Sequence, residues 1–139
     1  MKKIVDIKPY YTHTVLLILR IAIAILMLVH GVPKLNMLLS GDAHLFPAVM
    51  GMSPTLSLVL AVLAEVGCSV LVLVGLSTKL AVIPLIITML VAVLYVHIAD
   101  PFSAQELGIH YVLVYAALLL MGSGRFSVDH ILATKLSKA

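Results

Sequence analysis

The sequence predicts an all-α integral membrane protein, a bundle of four transmembrane helices with both termini in the cytoplasm. Of its 139 residues, 63% are apolar and only 11% are charged, whereas soluble domains are about 45–50% apolar and about 25% charged. The apolar residues form four long runs. Lipid leaves no water to satisfy the backbone, and the alternation typical of a barrel strand is missing, so each run is predicted to be a helix.

The four runs predict helices over residues 14–33, 54–75, 79–98 and 104–122, within a single membrane domain of residues 1–139. A hydrocarbon core of about 30 Å needs about 20 helical residues. The fourth run reaches that length only with Gln105 and Glu106 included, so we expect it inside the bundle. Residues 34–53 are predicted to be a long outer loop that lies on the membrane, because apolar side chains are spread through it.

The distribution of basic residues predicts the orientation. Only Lys34 falls in the first or third connection, and Arg20 lies within the first run. The others fall at the N-terminus, in the second connection or at the C-terminus: Lys2, Lys3, Lys8, Lys79, Arg125, Lys135 and Lys138. Basic residues favour the cytoplasmic side of a membrane, so both termini are predicted to be cytoplasmic. Because the basic residues are distributed over the flanks and connections, the predicted partner is the lipid bilayer. They form no basic patch that would bind nucleic acid.

Two ionisable residues are predicted near the middle of the membrane. At about 1.5 Å per residue, Arg20 lies about 9 Å and Glu65 about 14 Å above the inner surface. An unpaired charge at this depth costs about 2.5–3.5 kcal/mol on insertion scales, so an Arg20–Glu65 ion pair is expected. We favour a structural role for the pair, in which it holds two helices together, over the functional alternative, in which Glu65 carries protons outward.

A second polar layer is predicted near the outer surface. His30, His97 and His110 all lie about 24–25 Å up, and Glu106 stands one turn above His110. Such a group could bind a metal, donate to a quinone carbonyl or relay protons, and the spacing does not choose among these. The alternative is that each histidine only hydrogen-bonds loop carbonyls at the interface.

Cys68 is the only cysteine, so the chain has no internal disulfide. It follows Glu65 by one turn in a stretch of small residues that favours close helix packing. We favour that packing role over the alternative, a reactive thiol tuned by Arg20 at the same height.

Short motifs spread along the chain resemble the DoxX family of small bacterial membrane proteins, which is related to the small subunit of thiosulfate:quinone oxidoreductase. The resemblance runs from Leu16 to Asp129. Its motifs are LILR at 17–20, HGVPKL at 30–35, LAEVG at 63–67, GLSTK at 75–79, His97, and GSGRFSVD at 122–129.

The resemblance implies a four-helix protein of the bacterial inner membrane with Arg20, Lys34, Glu65 and His97 as its hallmark polar positions. It also implies an association with sulfur or quinone redox chemistry, or with oxidative-stress complexes that include a soluble partner protein. Cys68 stands where the family usually has glycine.

The hypothesis that follows is a redox-associated membrane subunit with a polar site in the outer half of the bundle and a quinone as its cofactor. The candidate cofactor-binding residues are Arg20, His30, Lys34, Glu65, His97, Glu106 and His110. The candidate catalytic residues are Glu65, His97 and His30. If the site binds a metal ion instead, the candidate ligands are His30, His97 and His110. The alternatives are a non-catalytic scaffold that recruits a soluble oxidoreductase and, if the chain forms a homo-oligomer, a proton-coupled carrier.

Overall fold

A computed structural model describes residues 9–137, and within this range the chain is helical without strands. Its helices are α1 (Pro9–Leu39), α2 (Pro54–Val74), α3 (Thr78–Val96), α4 (Phe102–Met121) and α5 (Val128–Leu136), with a 3₁₀ turn at Asp42–Leu45. Of these, α1 to α4 are long and apolar enough to cross a membrane. The predicted four-helix membrane fold is therefore confirmed. Lys2, Lys3, Lys8 and Lys138, on which the predicted orientation partly depends, lie outside the described residues.

The first helix is longer than predicted. It continues through Pro33 to Leu39, so the predicted outer loop of residues 34–53 shortens to 40–53. Proline costs a helix one hydrogen bond, but a helix that ended there would leave several carbonyls unpaired near the lipid. The consequence is that Lys34 sits on a rigid helix and not in a loop.

Two of the helices contain π-helical segments, one midway along α2 and one at the end of α3. In α2 the segment is Leu63–Cys68, and in α3 it is Ala92–Val96, which closes with the His97 N–H donating to the carbonyl of Ala92 at 2.9 Å. Each segment widens the turn and rotates the following side chains, and such segments occur frequently at functional sites. Glu65 lies in the first segment and His97 directly follows the second.

The two ends of the bundle differ. At one end, α1 begins beside the connection that follows α4, with the Tyr10 and Phe126 rings 6.3 Å apart; we call this the terminal end. The opposite end carries residues 40–53 and the turn 97–101, and we call it the loop end. Between them, α1 packs extensively against α2 and α3 against α4, and the main core includes the fully buried Leu85 and Tyr115. Cys68 packs against this core, in agreement with a packing role.

Helix α5 was not anticipated from the sequence. It is anchored by Asp129, whose carboxylate accepts hydrogen bonds from the backbone N–H groups of Ser77 (2.6 Å) and Thr78 (3.2 Å). Asp129 therefore caps the N-terminus of α3, where the side chain of Ser77 makes no cap hydrogen bond.

Candidate functional site

An ion pair between α1 and α2 lies at the centre of the candidate site. Lys34 Nζ lies 2.5 Å from Glu65 Oε1. The Glu65 side chain is 1% exposed and that of Lys34 is 30% exposed, so the carboxylate is buried in the bundle and the lysine is partly exposed. The predicted Arg20–Glu65 pair is therefore wrong. It was inferred with α1 ending at residue 33, whereas the longer helix carries Lys34 alongside Glu65.

A close helix crossing makes this pair possible. A Cβ on Gly31 would lie 2.9 Å from Val66 Cγ2 and 3.1 Å from the backbone carbonyl carbon of Glu65. Only glycine lets α1 approach the backbone of α2 this closely. Lys34, almost one turn further along α1, then reaches the carboxylate.

Arg20 has a different role at the terminal end. It is 2% exposed and donates to the carbonyls of Ser123 at 2.6 Å and Phe126 at 2.8 Å. These carbonyls belong to the irregular connection after α4, where the backbone has no helical partners. Gly75 completes the arrangement, since it has a positive φ and its Cβ would lie 2.5 Å from an Arg20 nitrogen. Arg20 thus stabilises the connection and lies away from the Lys34–Glu65 pair.

Two cavities meet at the ion pair. The larger, about 340 Å³, lies between α2, α3 and residues 46–52. The smaller, about 150 Å³, lies between α1, α3 and α4 and is lined by His30 and Tyr111, among others. Both are lined by Lys34, Glu65, Ala92 and His97.

The larger cavity is lined mostly by apolar residues. Leu60 and Ile87, on neighbouring helices, line it and are exposed at the surface of the bundle. Residues 46–52 cover its loop end, and the Phe46 ring lies 5.9 Å from Lys34 Nζ. This lining suits a largely apolar molecule that also has a polar group for Lys34, Glu65 or His97.

His97 is held by a carboxylate that the sequence analysis did not consider. Its Nδ1 lies 2.7 Å from Oδ2 of Asp100. Gln105 fixes the same turn, since its amide nitrogen donates to the carbonyl of His97 at 2.9 Å. The three-residue spacing of histidine and aspartate at a helix end was the available signal.

The remaining predicted residues divide between the cavities and the surface. His30 lines the smaller cavity, with its ring 5.8 Å from that of Tyr111. Glu106 and His110 are exposed and line neither cavity. Within residues 9–137, no group of three His, Cys, Asp or Glu side chains could hold a metal ion. The structure thus brings together Lys34, Glu65, His97 and His30, and it gives the three-histidine metal site no geometric support.

The protein interior beside Glu65 carries further polar groups that the sequence analysis missed. Glu65 Oε2, Ser69 Oγ and the Tyr115 hydroxyl are buried and make no hydrogen bond to any residue of the described range. Tyr115 stacks on Tyr111, with ring centroids 6.0 Å apart. Buried groups of this kind usually bind ordered water.

A family model described as DoxX matches residues 15–98, which is more than half of the chain. The matched range contains Arg20, Lys34, Glu65 and His97, and it ends before the closing motif at 122–129. No curated protein and no solved structure matches the chain.

Proposed function

The chain belongs to the DoxX family, and from that premise we propose that it is a redox-associated membrane subunit whose larger cavity binds the headgroup of a quinone. The observation that supports the proposal is the Lys34–Glu65 pair, which lies in the wall of a mostly apolar cavity beside the exposed side chains of Leu60 and Ile87. In this proposal the protein lies in the bacterial inner membrane with both termini cytoplasmic, and the site faces the outer half.

The cavity suits an amphipathic ring in size and chemistry. Its volume of about 340 Å³ falls at the lower end of the range of about 300–1,000 Å³ typical of small-molecule sites. Lys34 has three N–H donors and uses one on Glu65, so two remain for a ring carbonyl. His97 supplies a further polar group, while an apolar tail leaves between Leu60 and Ile87 towards the bilayer.

The residues then have separate roles. Lys34 and His97 contact the headgroup, and Glu65 holds the Lys34 ammonium in place. Arg20 contributes indirectly, by fixing the terminal end through the carbonyls of Ser123 and Phe126.

The test is direct binding of a short-chain benzoquinone to the full-length protein in lipid nanodiscs. The His97 ring is only partly buried and can be replaced without opening the core. His97→Gln is therefore compared with His110→Gln, whose ring lines neither cavity. We expect saturable binding. The hydroquinone form of the probe, whose hydroxyl can donate to His97, should bind about tenfold more weakly to His97→Gln, the effect of losing one good hydrogen bond, and its affinity should be unchanged in His110→Gln.

A second matched pair tests the buried partner. Glu65→Gln keeps the side-chain shape but removes the charge that holds Lys34, and it should also weaken binding, whereas Glu106→Gln should not. Absence of saturable binding, or equal affinities in all four variants, would refute the proposal.

A further inference from the structure

We infer that His97 and Asp100 form an acid–base pair that removes the proton from a ligand hydroxyl in the larger cavity, and that Lys34 stabilises the resulting oxyanion. The inference rests on the proposed function and specifies the ligand further, as a ring that carries an acidic hydroxyl of the hydroquinone or phenol class.

The orientation of the His97 imidazole supports its role as the base. Nδ1 faces the Asp100 carboxylate at 2.7 Å, and a carboxylate holds the proton of a neutral imidazole on the nitrogen that faces it. The basic lone pair is then on Nε2, on the opposite side of a ring that lines both cavities. When Nε2 takes up a proton, the carboxylate stabilises the imidazolium.

The hydrogen bonds that hold the turn 97–101 support an orienting role for Asp100. The backbone N–H of Asp100 donates to the carbonyl of His97 at 3.1 Å, and Gln105 donates to the carbonyls of both residues. The turn follows directly on the π-helical end of α3. An ordinary surface ion pair adds little to stability. An orienting role therefore explains a well fixed His97–Asp100 pair better than stability alone.

The proton transfer balances without a redox partner. The ligand O–H bond breaks, an N–H bond forms on Nε2, and the ligand keeps the electron pair as an oxyanion. The Lys34 ammonium lies in the same cavity wall, where the apolar lining strengthens its attraction for the oxyanion.

The ionisable groups around His97 are few in the described range. Lys34 and His30 of α1 and Glu65 of α2 share a cavity wall with it, and Asp100 holds its far side. From α4, Tyr111 lines the smaller cavity, whereas Glu106 and His110 line neither. The opposite charges of Lys34 and Glu65 cancel. The carboxylate of Asp100 is therefore the neighbouring charge that acts most directly on the imidazole.

A chromogenic phenol tests the inference. 4-Nitrophenol absorbs visible light only as the phenolate, so its ionisation in the cavity can be followed by absorbance against pH in nanodiscs that hold the full chain. We expect the bound probe to ionise at lower pH than the free probe. Asp100→Asn should raise this midpoint by about one pH unit, towards that of the free probe, which is a tenfold change in the ionisation constant. His97→Gln should raise it by at least as much.

Asp42→Asn is the matched control, because Asp42 is exposed and lines neither cavity; its midpoint should equal that of the native protein. If Asp100 only stabilised the turn, Asp100→Asn would lower the unfolding temperature without moving the midpoint, and the inference would be wrong. It would also be wrong if the benzoquinone binds while the phenol does not. If neither ligand binds, the proposed function itself fails.

Discussion

At the residue scale, the central feature is a charge pair of which one member is almost completely removed from solvent. An ionised carboxylate as buried as Glu65 is tolerated only with a partner, and Lys34 supplies it at 2.5 Å. A pair of this kind contributes little net stability compared with apolar side chains of the same size. Its presence is therefore in agreement with the functional role proposed for this position.

A double-mutant cycle tests the coupling of the pair. Lys34→Met alone should lower the free energy of unfolding by about 3–5 kcal/mol, because it leaves Glu65 buried without a partner. Glu65→Leu in the same chain removes that charge, so the double variant should be more stable than Lys34→Met alone. Unfolding in detergent, followed by circular dichroism, measures both. Additive losses would show that the two residues are not coupled.

At the element scale, two local features position the helices. The Gly31 contact sets the distance between α1 and α2, and the Asp129 carboxylate ties α5 to the start of α3. Both depend on atoms brought together from distant parts of the chain. Neither could be predicted from local sequence.

Gly31→Ala tests the helix crossing. The added methyl would overlap Val66 and the backbone of Glu65, so we expect a loss of about 1–3 kcal/mol in unfolding free energy. Gly67→Ala is the matched control on the other helix. A Cβ there meets no atom within 4 Å, and alanine has the higher helix propensity, so stability should stay equal or rise. Equal losses in both variants would contradict the close crossing.

Asp129→Ala tests the cap of α3. Loss of two hydrogen bonds to the helix N-terminus should lower the free energy of unfolding by about 0.5–2 kcal/mol. Asp42→Ala, which removes only a hydrogen bond from the exposed Ser40 hydroxyl, should leave it almost unchanged. Thermal unfolding of the two variants under identical detergent conditions gives the comparison, and an unaffected Asp129→Ala protein would refute the capping role.

At the scale of the whole molecule, the fold could be predicted and much of the site could not. Lipid forces each long apolar run to be a helix, so hydropathy was enough for α1 to α4. The pairing of Glu65 depends on where α1 ends, and Pro33 suggested an end that the structure does not have. The π-helical segments have no local signature, whereas the His97–Asp100 spacing was visible and was overlooked.

The orientation in the membrane is a prediction of the same scale. In a Cys68→Ser background, cysteine is placed at the exposed His44 of the loop end or the exposed Thr134 of the terminal end. An impermeant maleimide should label the first in intact cells and the second only after the membrane is opened, because basic residues at the terminal end favour the cytoplasm. The reverse pattern would invert the proposed orientation.

The most direct test of the central claim is a map of the residues that a photoreactive quinone labels in the native protein. If the larger cavity is the binding site, adducts should fall on the cavity-lining parts of α2 and α3, around Leu60, Ile87 and Val91, and excess unlabelled quinone should abolish them. Labelling confined to the lipid-facing side chains of α4, such as Leu113 and Leu120, and insensitive to competition would contradict the account.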